Sequence, residues 1–155
     1  MSEAYYANLP KKRMGAGVLF FNSTNQLLLV KPSYKDHWGI PGGVVDGDES
    51  PRASCIREIQ EELGLEINKL QFLSVGYFAN PNNNKGESLQ FLFYGGVLTP
   101  EDIVKIKLAE SEISDYKFVN PNTVMTMVSQ DMAKRLPPAL KSIRTGVPVY
   151  LEKLD

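Results

Sequence analysis

Glu58, Glu61 and Glu62 stand at i, i+3 and i+4, with Arg57 beside them and Glu49 upstream. Their surroundings predict a helix. Ser50 can accept from an orphan backbone N–H, Pro51 at the first helical position loses nothing, and Gly64 tolerates the left-handed conformation that ends helices. At about 100° per residue, the three glutamates fall on one side, while Ala53, Ile56, Ile59 and Leu63 fall largely on the other. Like-charged pairs at this spacing cost a helix roughly 0.2–0.5 kcal/mol each, so something must offset the repulsion. Arg57 neutralises part of it, and a hard divalent cation with oxygen ligands would neutralise more. The segment offers oxygens but neither a histidine nor a thiolate cluster, which favours magnesium over zinc.

An E-x-x-E-E run alone reads as an ordinary solvated helix face. Here it sits in a longer pattern from Gly43 to Leu65, G-x5-E-x7-R-E-U-x-E-E-x-G-U with U a bulky aliphatic. Gly43, Glu49, Arg57, Glu58, Ile59, Glu61, Glu62, Gly64 and Leu65 fill every fixed place, and Trp38-Gly39-Ile40-Pro41-Gly42 leads into it. On these residues the chain resembles the Nudix hydrolase family, without departure inside the motif.

The resemblance implies an α/β/α sandwich around a central mixed β-sheet. It also implies Mg²⁺-dependent hydrolysis, with Mn²⁺ as a possible substitute, of a nucleoside diphosphate linked to another moiety. Glu58, Glu61 and Glu62 match the family's metal-binding glutamates, and the carbonyl of Gly43, or that of Gly42, would complete the coordination. Arg57 matches the arginine that orients a motif glutamate, and Glu49 an acid of structural or outer-sphere role. With Arg57, Glu58 and Glu61 the expected catalytic set includes a general base. In this family that base is a motif glutamate or one on a downstream loop. Glu87, Glu110 and Glu112 are the downstream choices, and Glu112, shortly before Tyr116-Lys117-Phe118-Val119, is preferred.

Substrate contacts are expected from Trp38, whose ring either stacks on a base or packs under the glycine turn, and from Glu87. Tyr34, Tyr77 and Phe78 invite the same suggestion, and His37 is read as a loop residue. The run Ala79-Asn80-Pro81 followed by Glu87 is loosely similar to ADP-ribose pyrophosphatases. ADP-ribose or a nucleotide sugar is therefore placed slightly ahead of an ordinary or oxidised (d)NTP. Two rivals stand beside hydrolysis: a nucleotide-binding sensor without turnover, which would be expected to lose motif acids, and an isoprenoid diphosphate isomerase, for which Cys55 is poorly placed.

Strands and helices have to bring these groups together. Met14 to Phe21 and Gln26 to Val30 read as a hairpin around Asn22-Ser23-Thr24-Asn25. Leu70 to Phe78, Ser88 to Leu98 and Asp115 to Val119 read as further strands, with a substrate-facing loop around Pro81 and Gly86. Val124 to Leu136 and Pro138 to Arg144 read as two closing helices, and VPVYLEKLD is left open as edge or tail. Strands interleaved with one central helix and late helices predict a mixed sheet between helices.

The 155 residues, 43% hydrophobic, fit one domain over 1–155 with its own core. A net charge of −1 argues against extended nucleic-acid binding, while a small nucleotide partner is compatible. The single Cys55 reads as a small buried hydrophobe. No stretch resembles a secretory signal or membrane span, so the cytoplasm is the default expectation and no membrane partner is expected. A homodimer is expected only as a possibility that the family raises.

Overall fold

The computed structural model describes residues 1–79 and 85–152. In chain order its elements are α1 (Glu3–Ala7), β1 (Arg13–Phe21), β2 (Leu27–Pro32), β3 (Gly42–Val44), α2 (Pro51–Leu63), β4 (Gln71–Phe78) and β5 (Ser88–Val97). There follow α3 (Pro100–Val104), β6 (Ile113–Val119), α4 (Pro121–Val124), α5 (Gln130–Thr145) and β7 (Val149–Glu152). The strands form one sheet in the order β6-β2-β1-β5-β4-β7, with β3 paired to β1. β1 runs parallel to β5 and β4 parallel to β7, and the other pairs are antiparallel, so the expected mixed sheet is present.

β1 is central because both its faces are apolar. Ala16, Val18 and Phe20 join Cys55, Ile59 and Leu63 of α2 in one core, whereas Leu19 and Phe21 join Leu136 and Ala139 of α5 in another. Strand alternation thus places α2 and α5 on opposite sides of the sheet, giving the three layers.

The hairpin turn follows from asparagine chemistry. Asn22 Oδ1 accepts from the N–H groups of Thr24 (3.1 Å) and Gln26 (2.9 Å), and Asn25 takes the left-handed conformation at φ 60°. Beyond the turn the two strands part, with Phe21 opposite Leu27 as their only register pair. Residues 38–44 enter the fork. Val30 and Gly39 exchange backbone bonds of 2.8 and 2.9 Å, Val18 N–H donates to the Pro41 carbonyl (3.0 Å), and β3 then pairs with Gly15–Gly17. This wedge delivers the glycine turn to the N-terminal half of β1.

α2 begins and ends where the sequence says. Ser50 Oγ accepts from Ala53 N–H (3.1 Å), Pro51 is the first residue, and Gly64 closes the helix at φ 67°. Its buried stripe differs from the expectation: Ser54, Cys55, Ile59, Glu62 and Leu63 are buried, whereas Ala53 is exposed and Ile56 only half-buried. Gly42 and Gly43 pack against Glu62 and Glu58, so part of the glutamate side is covered as well.

The two closing helices are one. α5 passes through Pro137 and Pro138, because Ser129 caps it at Met132 N–H and the buried stripe Leu136, Ala139 and Ser142 continues across the prolines. Pro137 sits exposed and Pro138 half-buried, so packing of the inner face outweighs the hydrogen bonds that proline cannot make. β6 begins at Ile113 rather than Asp115, and residues 149–152 are an edge strand beside β4. Among the described residues no helix is long and apolar enough to cross a membrane.

Candidate active site

Glu62 is 7% exposed and accepts a 2.9 Å hydrogen bond from Gly42 N–H. That bond fastens α2 to the wedge. Gly42 lies at φ 140°, and a Cβ on it would overlap the Ala16 carbonyl oxygen. A Cβ on Gly43 would strike Glu58 Oε1, so the carboxylate approaches the backbone where only glycine leaves room. Burial is the main cause that pushes the Glu62 carboxyl up to about 8, and the charges of Glu58 and Glu112 add to it. Burial likewise raises Glu58, with Glu61 and Glu112 contributing and Arg57 opposing.

Arg57 is the counterweight. Its guanidinium forks onto Glu49 with Nε and Nη2 (3.1 and 2.6 Å), while Nη1 reaches Glu58 and Glu61, both at 3.0 Å. Nη2 also donates to the Val44 carbonyl (3.2 Å), tying the arginine to β3. The Arg57 bond and the Asp46 N–H together hold the Glu49 carboxyl down at about 2.

Glu58, Glu62 and Glu112 line one cavity of about 420 Å³, together with Gly42 and Gly43. The Glu112 backbone is held by its N–H to the Ala109 carbonyl and by its carbonyl accepting from Ser33 N–H, both at 2.8 Å. The downstream acid thus faces the motif acids across the cleft, although 50 residues separate it from Glu62 in the chain. Lys35 also lines the cavity and is a favourable charge for Glu62.

Other expected residues lie elsewhere. Glu61 is turned toward Arg57, with its side chain 50% exposed, and does not line the cavity. The three glutamates therefore do not form one wall. Trp38 packs with the α5-side core, its backbone bonded to Met127 and Lys117 Nζ 4.1 Å from its ring centre. Glu87 binds Lys12 and the Tyr77 hydroxyl, away from the cavity. His37 is exposed, and neither it nor Glu110 lines the cavity. Asn80 and Pro81, with most of the expected substrate-facing loop, fall outside the described residues. Arg13, Lys35, Gln90 and Arg135 were not anticipated as lining. Arg13 hides in the run Lys11-Lys12-Arg13 and Arg135 in Lys134-Arg135, which read as solvated charge.

Among the described residues, no group of three His, Cys, Asp or Glu side chains lies close enough to hold a cation as it stands. Arg57 draws Glu61 and one oxygen of Glu58 to itself. The donors nevertheless fit a hard divalent cation by chemistry. Glu58, Glu62 and Glu112 with the neighbouring backbone carbonyls are all oxygen ligands, and their mutual repulsion is what a cation relieves.

A family model described as NUDIX domain matches residues 11–141. A Bacillus subtilis (strain 168) protein named "Putative 8-oxo-dGTP diphosphatase" is 37% identical over 83 residues, 54% of this chain and 52% of that protein. An RNA pyrophosphohydrolase of Pseudomonas fluorescens (strain SBW25) is 34% identical over 62 residues, 40% of this chain and 39% of that protein. The chain thus spans about half the length or less of these curated relatives. The NUDIX domain of Shewanella oneidensis NrtR, solved in complex with ADP ribose, superposes with a TM-score of 0.70 at 22% identity, over 92% of this chain and 99% of that one. At that identity the likeness is one of fold.

Proposed function

The chain belongs to the Nudix family, and from that premise we propose that it hydrolyses the pyrophosphate bond of a nucleoside diphosphate linked to another moiety, with Mg²⁺ as cofactor. Nudix hydrolases generally use divalent metal ions. The observation that carries the reading is the shared cavity: Glu58, Glu62 and Glu112 converge there beside the Gly42–Gly43 turn. Residues 1–155 then act as one Nudix domain on a small nucleotide, and the cytoplasm is the proposed compartment.

Glu58, Glu62 and the Gly43 carbonyl would hold the cation, and Glu61, bonded to Arg57 outside the cavity, would join them only on leaving that bond. Bound there, a divalent cation would supply charge neutralisation at the pyrophosphate oxygens and a water of lowered pKa. Glu112, across the cleft, accepts the proton of the attacking water. Arg57 positions Glu58 by its 3.0 Å bond and keeps Glu49 ionised. Lys35 at the cavity wall attracts the phosphates electrostatically.

ADP-ribose or a nucleotide sugar is the first substrate class. A nucleoside triphosphate, ordinary or oxidised, is the second reading, favoured by the name of the Bacillus relative. A panel of both classes is incubated with Mg²⁺ or Mn²⁺ in ¹⁸O-labelled water, and products are identified by mass. Hydrolysis of at least one class is expected, with the label marking the attacked phosphorus. Glu62→Gln should lower turnover about 100-fold or more while leaving the circular dichroism spectrum unchanged. Tight ADP-ribose binding with no product from any compound would make the protein a sensor instead.

A further inference from the structure

Arg135 of α5 is 7% exposed, yet among the described residues no hydrogen bond or ion pair engages its guanidinium. Asp131, one turn earlier, acts on it only as a charge, and Phe78 presents a ring 5.8 Å away. Burial lowers its pKa to about 10, which leaves it cationic at neutral pH. An unpartnered buried charge costs stability, and an apolar side chain of similar volume would serve the core as well or better. Only the Phe78 ring answers the charge from within the fold, so packing gives little reason for an arginine here.

The cleft gives one. Arg135, Arg13 and Gln90 line both the cavity of the three glutamates and a second cavity of about 230 Å³ that Lys85 also lines. The shared walls join the two into one cleft, acidic at Glu58, Glu62 and Glu112, while at its other end Arg13, Lys85 and Arg135 outnumber the carboxylate of Asp131. A guanidinium fork matches two oxygens of a phosphate or carboxylate.

We propose that Arg135, assisted by Arg13, forms an oxyanion subsite for a phosphate or carboxylate carried by the substrate away from its pyrophosphate bridge. The proposal rests on reading this cleft as the substrate site. It selects substrates that are anionic at both ends over those that end in a neutral group.

The test is equilibrium binding to the full chain in EDTA, which keeps it independent of hydrolysis. Adenosine 3′,5′-bisphosphate against adenosine 5′-monophosphate is the phosphate arm. UDP-glucuronic acid against UDP-glucose is the carboxylate arm. The wild type should prefer the doubly anionic member of at least one pair by about tenfold. Arg135→Met should erase that preference while its Tm stays equal or rises, Arg135→Lys should keep part of it, and Arg13→Gln should weaken it. Arg135→Lys and the exposed Arg13→Gln carry the test if Arg135→Met does not fold. No preference in the wild type overturns the proposal. So does a preference that survives Arg135→Met, or an equal loss for both members of a pair, which would mean that the guanidinium reads a group they share.

Discussion

Arg57 touches Glu49, Glu58 and Glu61 at once and lies within 3.5 Å of Asp46, so one cation organises four acids. The bond to Glu49 is the closest of these, and its consequence is a pH dependence. Glu49 titrates near 2 in the fold against 4.5 for an unperturbed glutamate, so the folded state binds fewer protons than the unfolded one between these values. The stability from this pair is present in full above about pH 4.5 and disappears as pH falls through about 2. Tm measured from pH 6 downward should therefore fall more steeply in the wild type than in Glu49→Gln across that window. Parallel curves would show that the pair contributes nothing. Glu58 and Glu62 act in the opposite sense, because burial raises them.

At the scale of the element, α2 is held by local signals at its ends and by Glu62 at its side. Ser50 satisfies Ala53 N–H, and losing such a cap costs about 1 kcal/mol. Ser50→Ala should lower Tm by about 2–4 °C, read by calorimetry. A larger loss would mean that Ser50 also supports the turn before the helix. Glu62 does for the side of the helix what Ser50 does for its start, since its bond to Gly42 N–H sets how far α2 stands from β3. α5 shows the reverse balance: two prolines argue locally for a break, and the apolar inner stripe keeps the helix continuous.

For the whole molecule, α2 and α5 clasp the sheet from opposite sides, and adjacent residues of α5 serve different ends. Leu136 is fully buried in the core and Arg135 faces the cleft. Leu136→Ala should cost about 2–5 kcal/mol in urea denaturation, whereas Arg135→Met should cost nothing. Equal losses would make Arg135 a packing residue. Parts fixed by near neighbours are legible in the order of residues alone: the caps of α2, the Asn22 turn, most strand segments and the motif from Gly43 to Leu65. These depend on φ preference, short hydrogen bonds and periodicity, which act over a few residues. Which motif glutamate is buried, that Glu112 stands opposite Glu58 and Glu62, and that Arg135 turns inward all emerge from long-range packing. Those outcomes depend on the fork between β1 and β2 and on the stacking of α5 against the sheet, where groups far apart in sequence meet and burial sets their charge.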